Sequence, residues 1–291
     1  MPIRLYLILI IALVSVSSTS IVVKALPSIP ALTMAFWRML IASAMLWSYS
    51  CFKKTKPLYK KDVNQVAIAG FFLGLHFACF FWGVRNTSIA NATLLGNTGP
   101  LFTVGLTFIV YRTISKKVFY SLLISLLGVL LIQRSEMDIS SSNFMGNMVS
   151  LLSGFCIAIV YMVAKNIRRK NDTITYSRSL FFFAAITIAF VCLFAKVSLL
   201  SFEIEDLGWL LFLGFVPSIL GHNSLNYALK FLSPTAIASI PLGEPIIASL
   251  MGWVLLREKI PADYFVGAPF VLIGICFILN YSKKNKTKPP C

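Results

Sequence analysis

Ten apolar runs of 16 to 24 residues, separated by short polar islands, leave this chain little choice of fold. In hydrocarbon every backbone N–H and C=O must be bonded inside its own segment, so runs of this length read as helices crossing a bilayer core about 30 Å thick. The runs are Leu5–Val23, Ala31–Phe52, Asn64–Val84, Ile89–Tyr111, Val118–Gln133, Phe144–Ala164, Thr175–Ala195, Leu207–Leu229, Ser233–Leu256 and Tyr264–Tyr281. Composition points the same way. Of 291 residues 58% are hydrophobic and only 12% charged, against about 25% charged in soluble proteins. The expected class is an all-α polytopic membrane protein.

The first run could pass for a signal peptide, with Arg4, an apolar stretch and a Ser/Thr cluster. No small-residue cleavage site follows, and the apolar run resumes at Ile21-Val22-Val23, so it reads as the first span. A formal net charge of +16 would suggest nucleic acid in a soluble chain. Here the basic residues flank apolar spans, so the expected partner is the bilayer and not nucleic acid. With the N-terminus placed in the cytoplasm, 19 of the 26 Lys and Arg fall on the inner side and six on the outer, with Arg38 inside a span. The positive-inside rule then puts both termini in the cytoplasm, across a cytoplasmic (inner) membrane.

The six cysteines show neither a CxxC nor metal-ligand spacing, and most sit within apolar runs, where a thiol behaves as a small hydrophobe. Neither a disulfide framework nor a zinc site is expected. Cys291 is the last residue and lacks the three that prenylation needs.

The second half echoes the first. Thr93 to Pro100, followed by an apolar run to Arg112, overlays on Ser239 to Pro245, followed by an apolar run to Arg257. Pro100 pairs with Pro245 and Arg112 with Arg257 at one constant offset. Phe36-Trp37-Arg38 is echoed by Tyr176-Ser177-Arg178. Five spans per repeat is an odd number, so the halves insert in opposite orientations, the construction of many secondary transporters. The expected units are 1–140, 141–282 and a basic tail, 283–291.

Glu244 is the one acidic residue inside an apolar run. At helical rise it lies roughly 16–20 Å from either boundary, where a carboxylate costs at least ~2.5–3.5 kcal/mol. Its repeat partner is Gly99. Pro241 and Pro245 flank it and should loosen or kink the helix, with Pro100 doing the same in the first half. Other candidates for a substrate or proton pathway are His76, His222, Asn226, Arg38 and Asn97. The two histidines, alone in the chain, fall at nearly matching repeat positions. His222 and Asn226 are i, i+4 and share a face. Arg38, ~10 Å deep, can pair with Glu244 or a substrate anion, or snorkel outward. Trp82 and Tyr161 are candidate cavity walls, and Trp37 an interfacial anchor. Each polar residue has a competing role as interhelical glue. Gly70 and Gly74, and Ala248 and Gly252, read as close-packing faces.

The chain resembles the EamA-type branch of the drug/metabolite transporter superfamily. The resemblance rests on Gly221-His222-Asn223 through Lys230, Leu232-Ser233-Pro234-Thr235, Leu242-Gly243-Glu244-Pro245 and Leu256-Arg257-Glu258, with His76-Phe77, Trp82, Thr87-Ser88-Ile89-Ala90 and Pro100 in the first half. It departs where many relatives carry Gly-Glu after the fourth helix; here Arg112-Thr113 stand. The resemblance implies ten helices in two inverted five-helix repeats around a cavity for small metabolites. The expected function is a secondary transporter for a small polar metabolite, with broad efflux of amphipathic or cationic compounds as the alternative. An intramembrane enzyme would need a nucleophile–base pair or a carboxylate dyad, and the spans offer one carboxylate and no GxSxG. No cofactor or bound metal is expected, and the sequence does not choose between monomer and homodimer.

Overall fold

The computed structural model describes residues 3–113, 115–134, 137, 143–256, 260 and 262–284. The Glu136/Asp138 segment, the Arg257-Glu258 motif and Lys286 and Lys288 lie outside these residues. Among the described residues there is no strand, and ten helices are long and apolar enough to cross a membrane.

The spans are α1 (Ile3–Ala25), α2 (Ala31–Lys53), α3 (Val63–Asn86), α4, α5 (Lys116–Gln133), α6 (Phe144–Arg168), α7 (Thr173–Phe194), α8, α9 and α10 (Ala262–Lys284). Several run beyond the expected ends for local reasons. The α6 helix continues through Lys165 to Arg168, cations that suit a helix C-terminus. The α7 helix starts early because the Asp172 side chain accepts from the backbone N–H groups of Ile174 and Thr175.

Three spans are not continuous helices, and two of them break beside the prolines expected to loosen or kink them, Pro100, Pro241 and Pro245. α4 is split into α4a (Ile89–Gly96) and α4b (Gly99–Tyr111). α9 is split into α9a (Pro234–Ala238), a 3₁₀ turn (Ile240–Gly243) and α9b (Glu244–Leu256). The prolines start helices here instead of kinking them. Pro100 and Pro245 are the second residues of α4b and α9b, where the missing N–H costs nothing. The eighth span runs as Leu207–Leu213, a π-helical stretch Gly214–His222, and Asn223–Ala228. Pro217 sits inside the wide stretch, where its lost donor is absorbed.

The halves are built on one plan. Ser88 caps α4a by accepting from Asn91 N–H, and Ser233, at the offset of the two prolines, caps α9a by accepting from Ala236 N–H. The pairs α5 with α10, α2 with α7 and α4 with α9 form across the molecule, as do α3 with α6 and α1 with α8. Exchanging the halves maps every one of these pairings onto itself or onto another. This is the inverted repeat in three dimensions. The α3–α7 contact is close because Gly74 faces α7: a Cβ there would lie 2.6 Å from Thr187 Cβ and 2.7 Å from the Ala184 carbonyl.

The outside is apolar. Leu7, Ile10, Ile11, Phe190, Leu193, Phe194, Phe265 and Phe277 are all exposed, a surface suited to lipid and to nothing aqueous. The polar side chains of the spans turn inward. Ser15, Ser17, Ser18, Thr19 and Ser20, the cluster that mimics a signal-peptide end, are all buried.

Candidate functional site

A narrow central cavity of about 50 Å³ lies where the broken helices meet, room for a few waters. Its walls come from both halves: Thr19 of α1, Arg38 of α2, His76, Phe77 and Phe80 of α3, and Asn97 at the α4 break. Tyr161 of α6, His222 of α8, and Ala238, Pro241 and Glu244 of α9 also line it. Five of the six expected pathway residues therefore converge on one space: Glu244, His222, His76, Arg38 and Asn97.

Glu244 opens helix α9b, so its carboxylate sits at a helix N-terminus, the end favourable to negative charge. Ser20 Oγ donates to Oε1 at 3.1 Å and Asn97 Nδ2 donates to Oε2 at 2.9 Å. Asn97 Nδ2 also donates to the Pro241 carbonyl at 3.2 Å, which accepts the Glu244 backbone N–H as well. One amide thus ties the α4 break to the α9 break. The carboxylate is 4% exposed and faces the cavity, not lipid.

Arg38 does not snorkel. It is 1% exposed, and its guanidinium lies 4.3 Å from the centroid of the Phe77 ring. Its Nε donates to Ser218 Oγ at 2.8 Å and its Nη1 to Thr19 Oγ1 at 3.3 Å, while Nη2 has no partner. Ser218 belongs to the π-helical stretch and donates in turn to the Leu213 carbonyl five residues back. The widened turn is therefore what brings an acceptor to Arg38. Direct pairing with Glu244 is not what forms: guanidinium and carboxylate face one cavity, each held by neutral donors and acceptors.

His76 Nδ1 meets Ser153 Oγ at 2.8 Å and the Ser153 carbonyl at 3.0 Å. The two histidine rings lie 6.3 Å apart, and His222 packs edge-on to Phe77 at 5.0 Å. The Tyr161 hydroxyl, buried at the cavity wall, has no hydrogen-bond partner. Among the described residues no three of His, Cys, Asp and Glu gather as a metal ion would need.

Asn226 is the exception among the expected residues. It shares a helix with His222 but lies one turn further on, where α8 meets α6 and α7. Its Nδ2 donates to Ser177 Oγ at 3.1 Å, and its carbonyl accepts from Arg168 Nε at 2.9 Å. Trp82 does not line the cavity either; Tyr161 does. Trp37 donates to the Leu199 carbonyl at 2.7 Å and packs edge-on to Phe202, pinning the loop after α7. Sequence reasoning missed Ser20, Thr19 and Ser218. Their signals were present: a Ser/Thr run inside an apolar span, and a proline followed by serine inside another.

The sequence profile of the EamA-like transporter family matches residues 3–134 and again residues 144–280. The chain belongs to the EamA-like transporter family. Relatives align over most of its length at low identity. A protein named pseudopaline exporter, from Pseudomonas aeruginosa, is 23% identical over 268 residues, covering 91% of this chain and 92% of that one. A Bacillus subtilis protein named uncharacterized transporter YetK is 25% identical over 308 residues, covering 98% and 89%. A crystal structure of a protein 13% identical to this one superposes with a TM-score of 0.79, covering 99% of this chain and 100% of that chain. That likeness shows the fold alone. This is therefore a multi-pass membrane protein of a transporter family, with ten spans in two inverted repeats.

Proposed function

We propose that the protein is a secondary transporter that moves a small polar or zwitterionic metabolite, an amino acid or a related compound, by alternating access through the central cavity. One observation carries the reading: Glu244 and Arg38 face the same cavity without pairing with each other, and Arg38 Nη2 lacks a partner. A carboxylate and a guanidinium so placed match the ammonium and carboxylate of a zwitterion. A cavity of about 50 Å³ is too small for such a cargo, so carriage requires the breaks in α4 and α9 to move.

The aromatic walls Phe77, Phe80 and Tyr161 favour a second reading, efflux of amphipathic cations with Glu244 as counter-ion. Arg38 in the same cavity opposes it, because a cationic cargo would meet a buried like charge. We place the chain in the cytoplasmic membrane with both termini inside. In support, Lys53, Lys54, Lys56, Lys60, Lys61, Arg169 and Lys170 are exposed at one end of the bundle, while Glu203 and Glu205 are exposed at the other.

The test is uptake by proteoliposomes against a panel of labelled amino acids and cationic dyes, with wild type and Glu244→Gln in parallel. Uptake of one zwitterion by wild type, reduced at least about tenfold in the variant, is the expected result. Uptake confined to the dyes moves the assignment to efflux of cations. A pH response of transport that Glu244→Gln leaves intact removes Glu244 as the proton carrier.

A further inference from the structure

The same knot is tied once at each face of the bundle. Lys24, in the last turn of α1, donates through Nζ to the carbonyls of Val84 at 3.1 Å and Thr87 at 3.2 Å. Lys165, near the end of α6, donates through Nζ to the carbonyls of Leu229 at 2.9 Å and of Leu232. The acceptors correspond through the offset that pairs Pro100 with Pro245: Val84 with Leu229, and Thr87 with Leu232. Each second acceptor immediately precedes an N-capping serine, Ser88 of α4a or Ser233 of α9a. An odd number of spans separates the end of α1 from the end of α6, so the two knots lie on opposite faces.

The chemistry of each knot is a cation on carbonyls that a helix end leaves without intrahelical partners. Its placement gives it a further consequence. α1 and α4 both line the cavity, through Thr19 and Asn97; α6 and α9 both line it too, through Tyr161 and Ala238. Lys24 fastens α1 to the turn entering α4, and Lys165 fastens α6 to the turn entering α9. A passage from the cavity to either face that parts these elements must break that face's lysine bonds. Both knots are closed at once, around a space too small for cargo.

We propose that Lys24 and Lys165 are the two gate latches of alternating access, one per face, and that the structure is the doubly latched, occluded state. This rests on the transport reading of the cavity. The latches are unequal. Lys24 is exposed, so water can replace its carbonyl partners as they part. Lys165 is 9% exposed, and parting it from these two carbonyls leaves them in a site with little water to replace it. The Lys24 face is therefore the readier to open.

The latches can be tested without knowing the cargo. Ala238→Cys places a thiol in the cavity wall, and mass analysis of its peptide reads that site apart from the native cysteines. A membrane-impermeant thiol reagent is applied to right-side-out and to inside-out vesicles. Lys24→Met should raise the labelling rate about tenfold from the Lys24 face and lower it from the other. Lys165→Met should do the reverse with a larger change, and Lys165→Arg should stay close to the parent. Should Lys165→Met not fold, Lys24→Met at its exposed site decides the matter alone. Equal acceleration from both faces, or unchanged rates in folded protein, overturns the proposal. Side-specific labelling in vesicles that take up no panel compound leaves the latches standing and removes the metabolite assignment instead.

Discussion

α4 and α9 break at the same register and carry opposite chemistry at the break. Each begins at a capping serine, Ser88 or Ser233, and each resumes with a proline in its second position. The residue before that proline is Gly99 in one and Glu244 in the other. What faces each of them explains the choice. A Cβ on Gly99 would stand 3.0 Å from Ile157 Cγ2 and 3.4 Å from the Gly154 carbonyl, so α6 crowds this position. Glu244 meets Ser20 of α1 and Asn97 of the α4 break, both from the first half. The break belongs to the fold and occurs twice. The carboxylate belongs to one half and takes its side-chain donors from the other.

The sharpest way to break this contrast is to make the halves alike. Gly99→Glu would put a second buried carboxylate on the cavity that Glu244 already lines, at a cost of at least ~2.5–3.5 kcal/mol. Crowding against Ile157 adds roughly 1–3 kcal/mol. Thermal unfolding in detergent should show a large loss of stability or no folded protein, while Glu244→Gln, which keeps the shape of the side chain, should fold. A Gly99→Glu protein as stable as wild type would mean the two positions are interchangeable and the asymmetry carries no function.

Much of this was legible in the sequence because bilayer physics is severe. Ten apolar runs with one carboxylate admit few folds, and the offset joining Pro100 to Pro245 located both breaks. The convergence of His76, Arg38, Asn97, His222 and Glu244 followed from the rule that ionisable groups avoid lipid. Depth was the weak point. Sharing a helix face with His222 placed Asn226 on the right side of α8 but not at the right level, and it serves α7 through Ser177 instead. The π-helical stretch was not legible either. A proline inside an apolar run signals a disturbance, and only packing shows that it widens the turn and carries Ser218 to Arg38. The lysine latches were hidden for a different reason: their acceptors are backbone carbonyls, which no residue pattern reveals.

The link between the halves is the next thing to cut. Asn97→Ala removes the donor to Glu244 Oε2 and the donor to the Pro241 carbonyl together. Stability should fall by about 1–3 kcal/mol, since a buried carboxylate is left short of one partner. Ser20→Ala removes one longer bond, 3.1 Å, and should cost less. In a double-mutant cycle Asn97→Ala and Glu244→Gln should couple by about 1 kcal/mol. Strict additivity would show that the α4 break and the carboxylate act independently, and the cross-half reading of the site would be lost.

The smallest expected effect lies at the C-terminal end of α4. Helix α4b stops on Arg112, which closes it in the left-handed region with φ 54°. That conformation costs a residue with a Cβ roughly 1–2 kcal/mol, and glycine escapes the charge. Glycine is the residue the family pattern has there. Against this, a cation at a helix C-terminus gains only about 0.3–1 kcal/mol at an exposed site, and Arg112 is exposed. The backbone term should win. Arg112→Gly is expected to raise stability by about 0.5 kcal/mol after the added freedom of the unfolded chain is counted, with transport unchanged because Arg112 lies far along α4 from the break. A fall in the unfolding temperature would show that the cation at this helix end outweighs backbone strain, and that the departure from the family pattern stabilises the first half.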